Sequence, residues 1–186
     1  MPVELAVAAV RKLRLSPLSL PLPPLAVQLS PVAPDELDAA LAGLGYPGFA
    51  HRMKARAAVN PAELVARALA HANLDPRLVE ALPWLLATYP DLDWSWLMAR
   101  CRLLNLQNRL GFLVELANQL AKPGSEKHLR NALRSLESSR LAAEDTLCRE
   151  SMSHAERDWV RKHRSLDAAH WKLLTTLTVE HLTHAT

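Results

Sequence analysis

The sequence has 186 residues, of which 49% are hydrophobic and only 5% are aromatic, and its formal net charge is +3. This length suits one cored domain, or one domain with a small appended arm, and excludes two large domains. The positive charge is too small for a protein whose whole surface binds the phosphate backbone, so nucleic acid is permitted as a partner without being indicated.

Leucine and alanine dominate the chain, and β-branched residues do not alternate with polar ones over a useful length. This pattern predicts an all-α multi-helix bundle with a long central helix and a helical hairpin, preceded by a proline-rich extended N-terminal arm. We place the arm at residues 1–33 and a single helical domain at 34–186. Within that domain we expect short helices over 34–92, the central hairpin over 93–150 and short C-terminal helices over 151–186.

The arm begins with an apolar stretch that precedes Arg11, Lys12 and Arg14, the reverse of the order in a secretory signal. No apolar run reaches the roughly 18–20 residues that a membrane span needs, so we expect a soluble, cytoplasmic protein without membrane contact. Six prolines lie between residues 16 and 34, where they disfavour helix and favour extended backbone. Because this segment is too apolar for a solvated spacer, we expect part of it to lie in a groove of its own body or of a partner chain.

Three helix starts have strong local signals. Asn60 and Asp75 are each followed by proline, a combination typical of an N-cap and the first helical residue. Ser153 and Glu156 have the spacing of a capping box. These signals predict helices that begin at residues 61, 76 and 154.

The longest stretch of helical pattern runs from Asp93 to Ala121, about 28 residues or roughly 42 Å of helix. Apolar residues form two rows along it, which predicts a buried central helix with Leu103 and Leu104 among its buried residues. Gly111 in its interior is interpreted as a close helix crossing rather than a ligand site. A second helix from residue 126 to Glu150 should fold back against it as a hairpin.

Polar residues interrupt the apolar rows in the middle of the central helix. Asn105, Asn108 and Arg109 have amide and guanidinium groups that could bind a ligand or a partner, and Arg140 of the hairpin occupies an otherwise apolar stripe. The alternative, which we favour, is an outward face with one amide that ties down a neighbouring loop, together with local ion pairs of Arg140.

Two basic segments are candidates for nucleic-acid contact. Residues 34–57 contain two short helices joined by glycines, which resemble a helix-turn-helix in outline, and residues 153–164 form the most basic short helix. The candidate phosphate-binding residues are Arg52, Lys54 and Arg56 in the first segment and Arg157, Arg161 and Lys162 in the second. In both segments an ordinary solvated face is the favoured alternative.

No catalytic, metal or cofactor motif rises above chance. His181 and His184 lie three residues apart, but the zinc pattern HExxH and companion cysteines are missing, so we predict no metal site. Five glycines are too few for a glycine-rich phosphate loop, and we predict no cofactor. The two isolated cysteines, Cys101 and Cys148, are typical of small buried residues in a reducing compartment.

By elimination, the sequence predicts a non-enzymatic interaction or regulatory protein of a prokaryotic cytoplasm, such as an antitoxin, that binds a protein partner through its arm and helical faces. One alternative is a nucleic-acid-binding transcriptional regulator, whose affinity would fall steeply with salt. The other is a small helical enzyme with a pocket around Asn105, Asn108 and Arg109. No motif is distinctive enough to assign the chain to a known family.

Overall fold

The computed structural model describes residues 3–30, 33–52, 59–121, 123–124 and 126–182. Its α-helices are α1 (Val3–Leu13), α2 (Pro34–Gly43), α3 (Pro61–Leu69), α4 (Pro76–Thr88), α5 (Trp94–Leu103), α6 (Gln107–Leu120), α7 (Glu126–Glu137), α8 (His154–His163) and α9 (Leu166–His170). Two short parallel strands, β1 (Asp145–Thr146) and β2 (Leu173–Leu174), pair with each other. The all-α fold class is confirmed, because these helices enclose one main apolar core.

The predicted helix starts are confirmed, and each has a side chain that caps it. The Asn60 side-chain oxygen Oδ1 accepts from the Ala62 amide at 2.9 Å at the start of α3, and the Asp75 carboxylate accepts from the Arg77 amide at 2.8 Å at the start of α4. At α8, the Ser153 hydroxyl and the Glu156 carboxylate form the reciprocal capping box. These caps satisfy backbone amides that have no partner inside the helix.

The prediction of a continuous helix from residue 93 to 121 is wrong, because a turn at residues 104–106 separates α5 from α6. Asn105 has a left-handed backbone with a φ of 56°, a conformation that asparagine tolerates better than most residues. The Leu106 amide then donates to the Cys101 carbonyl at 2.7 Å. This is the hydrogen bond of a Schellman-type helix end.

The predicted hairpin is shorter than expected. Helices α6 and α7 pack against each other, but α7 ends at Glu137 rather than at Glu150. The hydroxyls of Ser138 and Ser139 donate to carbonyls of the last turn of α7 at 2.8 and 3.1 Å, a local competition that disfavours further helix. The chain continues through an irregular segment that contains β1, a strand that the sequence pattern did not predict.

The close approach predicted at Gly111 is to a side chain rather than to another helix. A Cβ atom added at Gly111 would overlap the six-membered ring of Trp171. Trp171 follows α9 and is only 1% exposed. The absence of a side chain at Gly111 therefore allows the C-terminal part of the chain to pack on α6.

We expect Gly111→Ala to lower the free energy of unfolding by about 2 kcal/mol, because overpacking of a core typically costs about 1–3 kcal/mol. Alanine normally stabilises a helix interior by about 1 kcal/mol relative to glycine, so the expected sign is opposite to that of helix propensity. Denaturant unfolding measures the effect. In a Trp171→Leu background the same substitution should be neutral or stabilising, and a Gly111→Ala protein as stable as the wild type would contradict the contact.

Candidate functional site

Residues 16–30, which we call the strap, lie across α3 and α5. Arg100 of α5 donates to the strap carbonyls of Pro24 and Val27 at 2.7 and 2.8 Å. The Trp96 indole N–H donates to a third strap carbonyl at 2.8 Å. Proline has no backbone N–H, so a proline-rich segment lacks the regular helix or strand hydrogen bonds that would satisfy its carbonyls. The side chains of Arg100 and Trp96 donate to these carbonyls instead.

Arg100 places a buried positive charge beneath the strap. Its residue exposure is 3%, and its guanidinium carbon lies 5.5 Å from the centroid of the Trp96 ring. Within the described residues, no carboxylate forms an ion pair with Arg100. The carbonyl dipoles of the strap and the face of the Trp96 ring therefore stabilise this positive charge, but they do not cancel it.

A groove of about 460 Å³, which we call the strap groove, runs between residues 25–30 and the C-terminal end of α5. Four of its apolar residues are exposed: Leu103 by 63%, Val27 by 50%, Leu104 by 40% and Leu25 by 37%. The prediction that Leu103 and Leu104 are buried is wrong: α5 ends at Leu103 and the turn begins at Leu104, and both side chains are exposed at this helix end. Asn105 was the sequence signal for this turn, since asparagine commonly follows a helix end.

A second groove of about 460 Å³ is lined by the three polar residues predicted in the central helix, Asn105, Asn108 and Arg109. Arg109 is only 4% exposed. Its Nε and Nη2 atoms donate to the two oxygens of Asp145 at 2.7 and 3.0 Å. Nη2 also donates to Glu150 at 3.2 Å, so two carboxylates surround this cation.

The remaining donors of Arg109 reach the end of α3. Nη1 donates to the carbonyls of Leu69 and His71 at 2.9 and 3.1 Å. All five N–H groups of the guanidinium therefore have protein acceptors. Burial acts to lower the pKa of Arg109, but the hydrogen bonds and charge of Asp145 outweigh burial and raise the pKa. Arg109 thus stays charged and fully occupied by its own chain.

Asn108 ties down the loop that follows α7. Its Nδ2 donates to the Leu141 carbonyl at 3.0 Å, and its Oδ1 accepts from the Leu141 amide at 2.8 Å. The predicted loop-tying amide is confirmed, whereas the predicted outward face is wrong, because Asn108 and Arg109 are buried. Their polar groups are bound to the protein's own backbone and carboxylates, which leaves few groups for a substrate.

Two further residues, Arg140 and the cysteine beside Arg109, are also occupied or inert. Arg140 donates to Glu137 at 3.0 Å and to the His170 carbonyl at 2.6 Å, in agreement with a local ion pair. Burial raises the pKa of the Cys148 thiol to about 11. This thiol is therefore protonated at neutral pH and is a poor nucleophile.

The basic residues of α8 mostly bind acceptors of their own chain. Arg157 donates to the carbonyls of Met152 and Glu150. Arg161 forms 2.6 Å ion pairs with Glu144 and Asp158. Five cationic and five acidic side chains fall between residues 144 and 164, so this segment has no net charge, counted over Lys, Arg, Asp and Glu, to attract a polyanion.

Of the other predicted phosphate-binding residues, one lies on α8 and three lie wholly or partly outside the described part of the chain. Lys162 on α8 is exposed, and among the described residues no acceptor is within hydrogen-bonding distance of it. Lys54 and Arg56 lie outside the described residues, and so does the side chain of Arg52, whose backbone ends a 3₁₀ segment over Pro47–Arg52 that is interrupted at Phe49. The helix-turn-helix prediction for this segment therefore stays a prediction.

Comparison of the chain with protein-family models, curated proteins and solved structures gave no match. In the described ranges, no group of three His, Cys, Asp or Glu side chains could hold a metal ion. None of the described helices has both the length and the apolar character to cross a membrane. Function is therefore inferred from the surfaces of the chain itself.

Asn60 connects the strap to α3, because its Nδ2 donates to the carbonyls of Leu18 and Leu20 at 3.2 and 2.8 Å while its Oδ1 caps the helix. We expect Asn60→Ala to lower the free energy of unfolding by about 3 kcal/mol, from the lost cap and the unpaired strap carbonyls. The matched control is Asp75→Ala, which removes a helix cap alone and should cost about 1 kcal/mol. Equal losses in the two variants, measured by denaturant unfolding, would contradict the link to the strap.

Proposed function

We propose that the protein is a non-catalytic interaction protein that binds an apolar segment of a protein partner in the strap groove. One observation carries this proposal: four exposed apolar residues, contributed by the strap and by α5, line a single groove. Single exposed apolar residues are ordinary on protein surfaces, whereas a contiguous set around one concave surface is typical of an interaction site.

The strap also gives this groove a defined shape. Hydrogen bonds from Trp96, Arg100 and Asn60 fix five strap carbonyls to the helical body. A wall that is already ordered loses little conformational entropy when a partner binds. The groove therefore supports association without prior folding of the strap.

Arg100 indicates one further property of the partner. Its buried charge has no carboxylate partner among the described residues, and Arg100 contributes to the lining of the strap groove. A positive potential at the base of an apolar groove favours an anionic group at its mouth. We therefore propose a partner segment that combines apolar side chains with at least one acidic residue.

The structure favours a protein partner over nucleic acid. The strap groove presents leucine and valine rather than a row of lysine and arginine, and the basic residues of α8 are largely paired with acids or carbonyls. Nucleic-acid binding depends on cations that remain available for phosphates. A regulatory or antitoxin-like role is compatible with partner binding and stays a prediction.

The test is affinity purification with the tagged full chain from a lysate of the cells that produce it, with quantitative mass spectrometry of the retained proteins. Three baits are compared: the wild type, the double variant Leu103→Ser with Leu104→Ser, and the control Leu166→Ser, whose residue is 89% exposed outside the strap groove. We expect the wild type and the control to retain a partner protein. The double variant should retain this partner in an amount lower by about ten-fold or more.

Circular dichroism of each bait shows whether the variants fold, which is expected because all three substituted side chains are exposed. Equal retention of the same proteins by the wild type and the double variant would contradict the strap groove as the binding site. Retention of nucleic acid that is released by salt, detected as a raised 260/280 nm absorbance ratio, would favour the transcriptional-regulator alternative instead.

A further inference from the structure

Helix α8 and the main core face each other across an open space. Met152, Val160 and Leu174 form a small apolar cluster that is separate from the main core. Residues of both clusters line one cavity of about 160 Å³, to which the main core contributes Leu74 and Val79. The two clusters are therefore separate because a cavity lies between them.

The attachment of α8 to the body is correspondingly slight. All ten residues of α8 are described, and Val160 is the one that is buried. The other attachments are polar, such as the ion pair of Arg161 with Glu144 at 2.6 Å and the hydrogen bond from Arg157 to the Glu150 carbonyl at 2.8 Å. Such exposed ion pairs contribute little to stability. An apolar molecule in the cavity would add the missing contacts beneath the helix.

The size and lining of the cavity define the ligand. A cavity of about 150 Å³ in another protein binds benzene, so the volume of this cavity, about 160 Å³, admits a single six-membered ring. Among the lining residues, Arg149 and Glu80 have opposite charges, and Arg149 pairs with Glu156 at 3.2 Å. The described lining therefore offers no unpaired arginine or lysine to an anionic ligand. The hydroxyl of Thr175, whose oxygen accepts from the Leu177 amide at 3.2 Å, can donate to one polar substituent.

We propose that this cavity binds a compact, uncharged aromatic molecule of benzene to phenol size, and that the bound molecule stabilises α8 on the body. This site is independent of the strap groove, since the two share no lining residue. Ligand occupancy would control the order of α8, whose outer face carries Trp159 with 56% of its surface exposed.

The test is a titration of the isotopically labelled full chain with benzene and with phenol, followed by methyl and amide NMR. We expect saturable shifts at about 1 mM ligand or below, concentrated on the methyl groups of Val79, Val160 and Leu174. Amide exchange in α8 should slow by about three-fold or more, because bound ligand stabilises the conformation that binds it. Shifts that do not saturate, or that spread over the whole surface, would overturn the proposal.

Two variants test the position of the ligand. Val160→Phe fills the cavity from α8 and should weaken binding about ten-fold or more. If that variant does not fold, Met152→Trp fills the cavity from another lining residue. The control Leu166→Ala alters an exposed leucine outside the cavity and should bind like the wild type. Unchanged affinity in a folded cavity-filling variant would overturn the proposal, as would equal losses in that variant and the control.

Discussion

The arrangement of the C-terminal half depends on the hydrogen bonds that the guanidinium of Arg109 donates. Its five N–H groups join α6 to the end of α3 and to two carboxylates of the loop between α7 and α8. A buried cation without these acceptors would be strongly destabilising, so the loop must follow a path that brings Asp145 and Glu150 to it. That path places β1 beside β2. The pairing of these two strands positions the chain that follows α9.

Two irregular segments, the strap and the loop after α7, are organised by the same physical rule. In the strap, Arg100 and Asn60 donate to carbonyls that a proline-rich chain cannot satisfy by itself. In the loop after α7, Asn108 donates to the Leu141 carbonyl, and Arg109 donates to the carboxylates of Asp145 and Glu150. Both irregular segments are thus fixed by buried side chains of the helices. They differ in their surfaces, because the strap leaves apolar residues exposed whereas the loop presents paired charges.

Local signals in the sequence were sufficient for the fold class and for several helix starts. Caps such as Asn60 depend on residues within one turn, and the structure confirms them. The path of the loop after α7 could not be predicted in this way, because Arg109 and Asp145 are 36 residues apart in the chain and only the folded core brings them together. The strap groove was missed for a different reason: the left-handed turn at Asn105 ends α5, and a single asparagine is a weak signal within a long apolar pattern.

Hydrogen exchange in an Arg109→Lys protein tests the role of Arg109 most directly. Lysine keeps the charge but cannot form the planar, five-donor network. Residues 144–150 and 72–74 are joined by hydrogen bonds such as that from the Leu74 amide to the Cys148 carbonyl at 2.9 Å. If Arg109 holds the loop, the amides of both segments should exchange about ten-fold faster or more in the variant, while the amides of α5 keep their wild-type rates. Unchanged exchange at residues 144–150, or an equal increase throughout the chain, would contradict this account.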